Sequence, residues 1–212
     1  MTRPVRHPIA ARLFASEVGP IDARGAAEHR ARLLHGVAGR VLEIGAGTGI
    51  SFSDYPRNAV SELVAIEPEP YLRARAEQAA AVSPITITVI DAAAEQIPFD
   101  DATFDVAVAA RVLCSVHDLG AALDELHRVI RPGGELRFYE HVVSADPRYA
   151  RCQHALDLIW PRLVGGCHVS RDTAGAITEA GFTLETLDRF TFRPGFLAAP
   201  TVPYILGRAR RS

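Results

Sequence analysis

The chain has 212 residues, a formal net charge of −2 and an apolar fraction of 48%. That length suits one α/β domain, and the weakly acidic balance argues against a protein whose main partner is nucleic acid. No run reaches the ~18 apolar residues of a membrane span, and residues 1–9 contain no apolar run of signal-peptide length. We therefore expect no integral membrane segment.

Two helices are predicted at the amino end. Residues 10–18 and 26–37 carry apolar side chains at helical spacing. Gly19 and Pro20 are expected to break the first helix, and Gly39 to end the second.

From residue 40 onward the pattern alternates between strand and helix. Short apolar runs predict strands at residues 40–44, 62–66, 85–90, 104–110 and 136–142. Helices are predicted at 70–81 and 119–130, the second with Asp118 as its N-cap and the turn Arg-Pro-Gly-Gly as its stop. Residues 104–110 are apolar on both faces apart from Asp105, which indicates a central parallel strand. Such alternation is typical of βαβ units in a mostly parallel, doubly wound sheet.

Residues 144–170 interrupt this alternation, and we interpret them as a helix and loop that cover the strand ends. A last helix is predicted at 171–181 with Ser170 as its N-cap, followed by a strand pair at 183–192 and 202–209 with Gly195 and Pro200 between them. The predicted single domain, 1–212, thus divides into amino-terminal helices 1–38, a core 39–143, a substrate cover 144–170, and a carboxyl-terminal helix and strand pair 171–212.

The strongest local signal is the stretch VLEIGAGTG at residues 41–49. Glycine lets the backbone turn sharply and approach a ligand closely, and nucleotides bind outside the carboxyl ends of the strands in such sheets. Ile50 stands where a dinucleotide fingerprint needs its third glycine, so NAD and FAD are disfavoured. Glu67 ends the second strand, where a carboxylate can accept bonds from two ribose hydroxyls and would repel a 2′-phosphate. The alternative is that Glu67 only caps the turn at Pro68.

Four ordered motifs carry a family resemblance. VLEIGAGTG, AIEPEP, AAAEQIPFDDATFD and LHRVIRPGGEL resemble successive motifs of the class I S-adenosylmethionine-dependent methyltransferases, in the methyltransferase type 11 or UbiE-like group. The resemblance implies a Rossmann-like, three-layer αβα fold with a mostly parallel seven-stranded sheet and a carboxyl-terminal antiparallel strand. It also implies S-adenosyl-L-methionine as cofactor and S-adenosyl-L-homocysteine as product.

The resemblance further implies cofactor contacts along four segments: Glu43, Gly45, Ala46 and Gly47 at the methionine part, Glu67 and Pro68 at the ribose and adenine, Ala93, Ala94 and Glu95 at the adenine edge, and Ala110 and Arg111 on the other side. In the family, an Asp that bonds the adenine amine often stands at the place of Ala93. That bond would be absent here, or would come from a backbone group or from Asp91.

A narrower resemblance lies downstream. RVLCSVHD, FYEHV and GGCHVSRDT resemble the alkyl-thiol methyltransferase branch. That branch commonly has an apolar amino-terminal membrane segment, which this sequence lacks, so a bulky lipid-side substrate is not expected.

The candidate catalytic residues are histidines, because imidazole can remove a proton near neutral pH. His141 at the end of the fifth strand is the first candidate for a general base, and His168 in the cover is the second. The alternatives are a buried, hydrogen-bonded histidine and a surface loop residue, respectively. Methyl transfer depends mainly on positioning, so a dedicated base is not required.

The three cysteines are Cys114, Cys152 and Cys167. They form no CxxC pair, and no histidines stand at H-x-x-x-H spacing on a helix, so we assign no metal and no disulfide framework. Cys114 is expected to be a small buried filler. Free cysteines are typical of a reducing, cytoplasmic setting.

The expected function is methyl transfer from S-adenosylmethionine to a small molecule, with a thiol or another soft nucleophile as acceptor. The alternatives are an O-, N- or C-methyltransferase acting on a phenol, quinone or secondary metabolite, and a non-catalytic cofactor-binding subunit. We expect a small-molecule substrate, no nucleic-acid partner, and a monomer or homodimer.

Overall fold

The computed structural model describes residues 8–193 and 200–212. Within them lie seven strands, β1 to β7 in chain order: Gly39–Ile44, Val60–Ile66, Ile87–Ile90, Phe104–Ala110, Ile130–His141, Phe182–Thr191 and Pro203–Arg211. They form one sheet in the order β3-β2-β1-β4-β5-β7-β6. The pairs among β1 to β5 are parallel, whereas β7 runs antiparallel to both β5 and β6. This topology confirms the predicted Rossmann-like sheet and its antiparallel carboxyl-terminal strand. Gly195, which was expected in the turn before β7, lies outside the described residues.

Helices cover both faces of this sheet. Their bounds in the described residues, α1 to α7, are Pro8–Ile21, Ala27–Leu34, Pro70–Ala81, Leu119–Val129, Pro147–Leu156, Trp160–Leu163 and Thr173–Glu179. The apolar sides of α2 and α3 share one core cluster with the sheet, and those of α4 and α7 share the other. In the described part of the chain, no helix is both long and apolar enough to cross a bilayer.

Strand β4 lies at the centre of the sheet because its side chains are apolar on both faces. Phe104 and Ala107 belong to the core cluster of α4, and Val106 and Val108 belong to that of α2. The polar exception, Asp105, accepts a hydrogen bond of 2.6 Å from the main-chain N–H at the start of β1. The central position predicted for this strand is confirmed.

The predicted break at Gly19 and Pro20 is wrong, because both residues lie inside α1. Proline lacks an N–H and frees one carbonyl in the preceding turn. Here that carbonyl belongs to Ser16, an exposed residue that water can reach. The chain turns instead at Gly25, whose φ of +118° suits glycine and few other residues.

The predicted N-cap of the last helix is also wrong. Asp172, and not Ser170, caps α7 by accepting a hydrogen bond from the N–H of Gly175. The hydroxyl of Ser170 donates instead to Asp157. By contrast, Asp118 caps α4 as predicted, accepting from the N–H of Ala121 at 3.0 Å. The Arg-Pro-Gly-Gly turn after α4 falls within the irregular first part of β5.

Candidate active site

The turn after β1 brings the backbone, rather than side chains, to the carboxyl end of the sheet. Gly45 and Gly47 have φ values of +62° and +59°, which L side chains rarely adopt. A Cβ on Gly45 would lie 2.3 Å from Cγ2 of Val112, and one on Gly47 would lie 3.2 Å from the ring of Phe14. The loop therefore fits its neighbours only as glycine, and its backbone lies at the surface of a cavity.

A cavity next to this loop brings six of the predicted cofactor residues together. They are Glu43, Gly45, Ala46, Gly47, Ala110 and Arg111. Pro68, Ala93, Ala94 and Glu95 are not among the described residues that line the cavity. Glu67 joins the group through a hydrogen bond to the loop.

The carboxylate of Glu67 is held between the glycine loop and the start of α3. Its Oε2 accepts from the N–H of Gly47 at 2.8 Å, and its Oε1 accepts from the N–H of Glu69 at 3.0 Å. Burial raises the pKa of Glu67 to about 7. Each carboxylate oxygen has a second lone pair, so the acid that caps the turn can still accept a hydrogen bond from a ligand hydroxyl.

Arg73 on α3 fixes the segment that follows Glu67. Its guanidinium donates to the carbonyl oxygens of Glu67 and Pro68 and forms an ion pair of 2.9 Å with Asp91. Asp91 is thus ion-paired with α3 in this structure.

Glu43 lies beneath the loop and is almost fully buried. The hydroxyls of Ser51 and Tyr55 donate to its carboxylate, at 2.6 Å and 3.1 Å. Burial raises the pKa of Glu43 to about 7, and these two hydroxyls oppose the rise. The residue therefore places a polar group in the floor of the cavity.

At the predicted adenine edge, the side chains mainly support the fold. Ala94 is buried in the core cluster of α4. Oε1 of Glu95 accepts from the N–H groups of His117 and Asp118, at 2.7 Å and 3.2 Å. Glu95 thus anchors the turn between β4 and α4.

A buried sulfur and imidazole cluster lies at the ends of β4 and β5, formed by Cys114, His141 and Cys167. Nε2 of His141 lies 3.2 Å from Sγ of Cys167, and ligand atoms of all three residues lie within 4.8 Å of one another. The hydrogen bond from Cys167, together with the nearby His141, holds the pKa of the Cys114 thiol well below its usual range. Cys114 therefore has a partner set that a small buried filler does not need.

Glu140, the neighbour of His141 on β5, organises the turn that carries Cys114. Its carboxylate accepts hydrogen bonds from the N–H groups of Val112, Leu113 and Cys114, at 2.9, 3.0 and 3.3 Å. The ring of His141 packs instead against Tyr204, with the ring centroids 6.0 Å apart. The two neighbours thus serve different sides of the strand, as expected for an extended segment.

The end of the segment 144–170 packs against the turn that follows β4. The N–H of His168 donates to the carbonyl of Cys114 at 2.8 Å. Arg171 donates to the carbonyls of Leu113 and Val116, at 2.5 Å and 2.7 Å. A Cβ on Gly166 would lie 3.1 Å from the carbonyl oxygen of Ser115. The motif GGCHVSRDT therefore joins the cover to the turn after β4.

The two candidate histidines have different surroundings. His141 is almost fully buried in the cluster, whereas the His168 side chain is 36% exposed and lies 3.3 Å from Asp157 within the cover. The structure thus brings His141, and not His168, together with the sulfur atoms at the strand ends.

Several residues that line the cavity were not predicted from the sequence, among them Phe14, Arg30 and Tyr139. Arg30 is held by Asp22 and Asp54, at 2.8 Å and 2.6 Å. The position of Tyr139 two residues before His141 was a usable signal, because alternate residues of a strand share a face. Phe14 is placed by the packing of α1, which no local motif reveals.

A second cavity lies at the opposite end of the sheet. Arg40, Ile97, Phe99 and Thr103 contribute to its walls. It faces the amino ends of β1 and β4, which is the wrong end for a nucleotide in a parallel sheet.

Comparisons with known proteins agree with this geometry. Residues 42–138 match the family described as methyltransferase domain. The chain is 34% identical over 186 residues to thiol S-methyltransferase TMT1B of Mus musculus, covering 83% of this chain and 73% of that one. It is 36% identical over 118 residues to malonyl-[acyl-carrier protein] O-methyltransferase of Pseudescherichia vulneris, covering 55% and 45%. Among solved structures, the N-methyltransferase NodS of Bradyrhizobium japonicum in complex with S-adenosyl-L-homocysteine superposes with a TM-score of 0.67 at 21% identity, covering 91% and 88%.

Proposed function

The chain belongs to the class I S-adenosylmethionine-dependent methyltransferases, and from that premise we propose that it methylates the sulfur of a small thiol. The cofactor supplies an electrophilic methyl group on a sulfonium sulfur. The residues of the chain must hold the cofactor, align the acceptor sulfur and exclude water. Alignment of this kind can lower the barrier by ~7–11 kcal/mol.

The proposed cofactor contacts are those assigned from the sequence: Glu43, Gly45, Ala46, Gly47, Glu67, Pro68, Ala93, Ala94, Glu95, Ala110 and Arg111. Two observations support them. Six of these residues line one cavity at the carboxyl end of β1. The Glu67 carboxylate accepts a hydrogen bond from the glycine loop, in which a side chain on Gly45 would clash with Val112. A glycine cradle with an adjacent buried acid suits a ribose-bearing ligand.

The length of the match favours a thiol acceptor. Similarity to the O-methyltransferase covers 55% of this chain, whereas similarity to the thiol S-methyltransferase covers 83%. A match of that second length necessarily includes the middle of the chain, and with it the whole cover. The acceptor side of the site, and not only the cofactor half, therefore resembles the thiol enzyme.

The observation that carries the proposal is the closure of the acceptor side by a sulfur-lined cover. Cys167 of the cover meets Cys114 and His141 at the ends of β4 and β5. Arg171 and His168 bond the cover to the turn that carries Cys114. Such a wall keeps water from the reacting atoms while it presents soft, polarizable groups to an acceptor.

The surface near the cover suits an acceptor with an apolar substituent. A Cβ on Gly165 would lie 3.6 Å from Cβ of Ala10, so the cover and α1 are neighbours. Both elements expose large apolar side chains: Ile9 and Leu13 on α1, and Leu158, Ile159 and Leu163 in the cover. Apolar patches beside a site are typical of ligand entrances.

We assign the catalytic role at the acceptor to His141 and keep His168 as the second candidate. A thiol with a pKa near ~8.5 is only partly ionised at neutral pH, so help in removing its proton is useful. His141 lies in the cluster, whereas His168 is already engaged by Asp157. A reducing, cytoplasmic compartment is also proposed, which agrees with Cys114, Cys152 and Cys167 all being free thiols.

A panel of acceptors tests the proposed function. Purified protein is incubated with labelled S-adenosylmethionine and, in turn, with thiols, phenols, amines and quinones. We expect label in the thiol products. Transfer confined to phenols, amines or quinones would show that the acceptor class is wrong.

A further inference from the structure

The cluster of Cys114, His141 and Cys167 has the residue composition of a site for a soft divalent cation. The three residues come from the turn after β4, the end of β5 and the cover, and all are at most 8% exposed. Their ligand atoms lie within 4.8 Å of one another, and Nε2 of His141 is 3.2 Å from Sγ of Cys167. One small ion can therefore reach all three.

The spacing suits zinc in particular. Zn²⁺ binds thiolate sulfur at ~2.3 Å and imidazole nitrogen at ~2.0–2.1 Å in tetrahedral geometry. Tetrahedral ligands at those distances lie roughly 3.5–4 Å from one another, which is within the spread of the cluster. Two thiolates would also neutralise the charge of the dication, so the buried site would carry no net charge.

The surrounding residues hold the three ligand residues in place. Glu140 accepts the N–H of Cys114, and the carbonyl of Cys114 accepts the N–H of His168. A Cβ on Gly166 would press on the carbonyl of Ser115, so glycine permits the close approach of Cys167. Nδ1 of His141 is buried and has no hydrogen-bond partner among the described residues. No described partner therefore fixes the tautomer, and the lone pair can stand on Nε2.

We propose that Cys114, His141 and Cys167 bind a zinc-like divalent cation whose fourth position takes the sulfur of the acceptor. This deepens the proposed function and rests on it for the identity of the fourth ligand. Sites with three protein ligands keep a position open for a substrate, whereas structural zinc sites are closed by four. His141 then acts on the acceptor as a metal ligand rather than as a general base.

The proposed step balances without a further reactant. The acceptor thiol loses its proton to solvent as its sulfur coordinates the cation, because a coordinated thiol is deprotonated outright. A lone pair of that sulfur then forms the bond to the methyl carbon while the bond from that carbon to the sulfonium sulfur breaks. The product is a neutral thioether, a weaker ligand than the thiolate, and it leaves. Arg171, bonded to the carbonyl of Leu113, places a positive charge near Cys114 and Cys167.

No metal site was expected from the sequence, which has neither CxxC nor H-x-x-x-H spacing. Those patterns identify ligands that share one turn or one helix. Here the ligands stand on three separate elements, and only the parallel order of β4 and β5 and the return of the cover bring them together.

The test measures metal binding by the full chain, apart from catalysis. Protein reduced without oxygen is titrated with Zn²⁺ against a chromophoric chelator, and with Co²⁺ while the absorption spectrum is recorded. We expect one ion per chain, and for Co²⁺ the intense visible bands of a tetrahedral site with a thiolate charge-transfer band. Addition of a thiol acceptor should shift these bands, whereas the matched alcohol should leave them unchanged.

Variants with matched controls locate the site. Cys114→Ser, Cys167→Ser and His141→Gln should each weaken Zn²⁺ binding by more than ~100-fold, which exceeds the usual effect of losing an outer-shell partner. Cys152→Ser and His168→Gln remove the same residue types outside the cluster and should retain binding. Binding of S-adenosylhomocysteine shows that each variant is folded.

The outcomes separate this proposal from the proposed function. Thiol methylation at full rate by protein freed of metal would overturn the metal site and leave the thiol acceptor intact. Zn²⁺ binding that survives Cys114→Ser and Cys167→Ser, or a Cys114–Cys167 disulfide in place of metal binding, would also overturn it. A bound Co²⁺ whose absorption spectrum stays the same with every thiol would show that the acceptor sulfur is not the fourth ligand. Metal binding with methylation only of oxygen or nitrogen acceptors would refute the thiol function instead.

Discussion

The main-chain N–H of Gly47 donates a hydrogen bond of 2.8 Å to Oε2 of Glu67, so the loop after β1 and the acid at the end of β2 form one unit. The parallel pairing of β1 with β2 sets this distance, since Ile44 lies opposite Ile66 at the ends of the two strands. A ligand that binds the Glu67 carboxylate therefore also contacts the loop, and its affinity depends on the register of β1 against β2.

Replacement of Glu67 by Gln should weaken cofactor binding without unfolding the protein. The amide keeps an oxygen for the N–H of Gly47 but loses the charge that strengthens bonds from the ribose hydroxyls. We expect a loss on the order of 2–4 kcal/mol in the binding of S-adenosylhomocysteine, measured by calorimetry. Glu62→Gln, at the other end of the same strand and paired with Arg40, is the control. Equal affinity in the two variants would show that the ribose lies elsewhere.

Cofactor affinity should depend on pH through Glu67. Burial raises the pKa of this acid to about 7 in the free protein, and only the ionised carboxylate accepts from both ribose hydroxyls. As pH falls below 7 the affinity should decrease, approaching about tenfold per pH unit. Glu67→Gln should remove this dependence. Glu43→Gln tests the separate contribution of Glu43, whose pKa is also raised to about 7. A flat profile from pH 8 to 5.5 in the parent protein would contradict the assignment.

The same raised pKa has the opposite effect on the stability of the free protein. At low pH, Glu67 is protonated in both the folded and the unfolded state. Between its ordinary pKa of 4.5 and its folded-state pKa of about 7, mainly the unfolded chain ionises, so the folded state loses relative stability as pH rises. The free energy of unfolding should therefore decrease over this range, more in the parent than in Glu67→Gln. Saturating S-adenosylhomocysteine should reduce the difference, because it binds the ionised form. Urea unfolding at a series of fixed pH values measures this free energy for the parent, for Glu67→Gln and for the parent with S-adenosylhomocysteine.

Replacement of Gly45 by Ala should damage both the fold and the cofactor site. The new Cβ would meet Val112 at 2.3 Å, and φ would stay at +62°. The left-handed backbone alone costs about 1–2 kcal/mol, and the clash adds to it. Gly19→Ala, inside α1 with nothing within 4 Å, should instead stabilise the protein by roughly 0.5–1 kcal/mol. Unchanged unfolding of Gly45→Ala in urea would refute this account of the loop.

Most of the fold could be predicted from the sequence because its signals are local. The parallel strands each contain a short apolar run, and the glycine loop and Glu67 follow directly from β1 and β2. Two predictions about helix ends were wrong, and each error has a physical cause. Pro20 was expected to end α1, but its freed carbonyl faces solvent. Ser170 was expected to cap α7, but Asp157 takes its hydroxyl.

The acceptor side was less predictable, because its residues meet only after the chain has folded. Cys114, His141 and Cys167 are far apart in sequence, and no spacing rule joins them. The roles of Glu95 and Glu140 could not be predicted either, because the carboxylate of each accepts hydrogen bonds from backbone N–H groups of another element. Their positions could be read from the sequence, but their partners could not.

Replacement of Arg171 by Lys should affect the acceptor more than the cofactor. Arg171 donates to two carbonyls of the turn after β4, and lysine cannot make both bonds in the same geometry. We expect KM for the thiol to rise about tenfold, equivalent to one lost charged hydrogen bond, with binding of S-adenosylhomocysteine within twofold. Arg162→Lys, at an exposed position bonded to Leu158 in the cover, should change neither. Loss of cofactor affinity in Arg171→Lys would show that the cover is not specific to the acceptor.

Methyl transfer to the sulfur of a small thiol can be measured by competition between two acceptors within one reaction. The protein receives labelled S-adenosylmethionine and an equimolar pair of acceptors that differ only in sulfur against oxygen, such as an aromatic thiol and its phenol. We expect label in the thioether at a rate at least about tenfold above the ether, since the thiol ionises more readily and fits the sulfur-lined acceptor end. Label in the ether alone, or no transfer by protein that still binds S-adenosylhomocysteine, would contradict it.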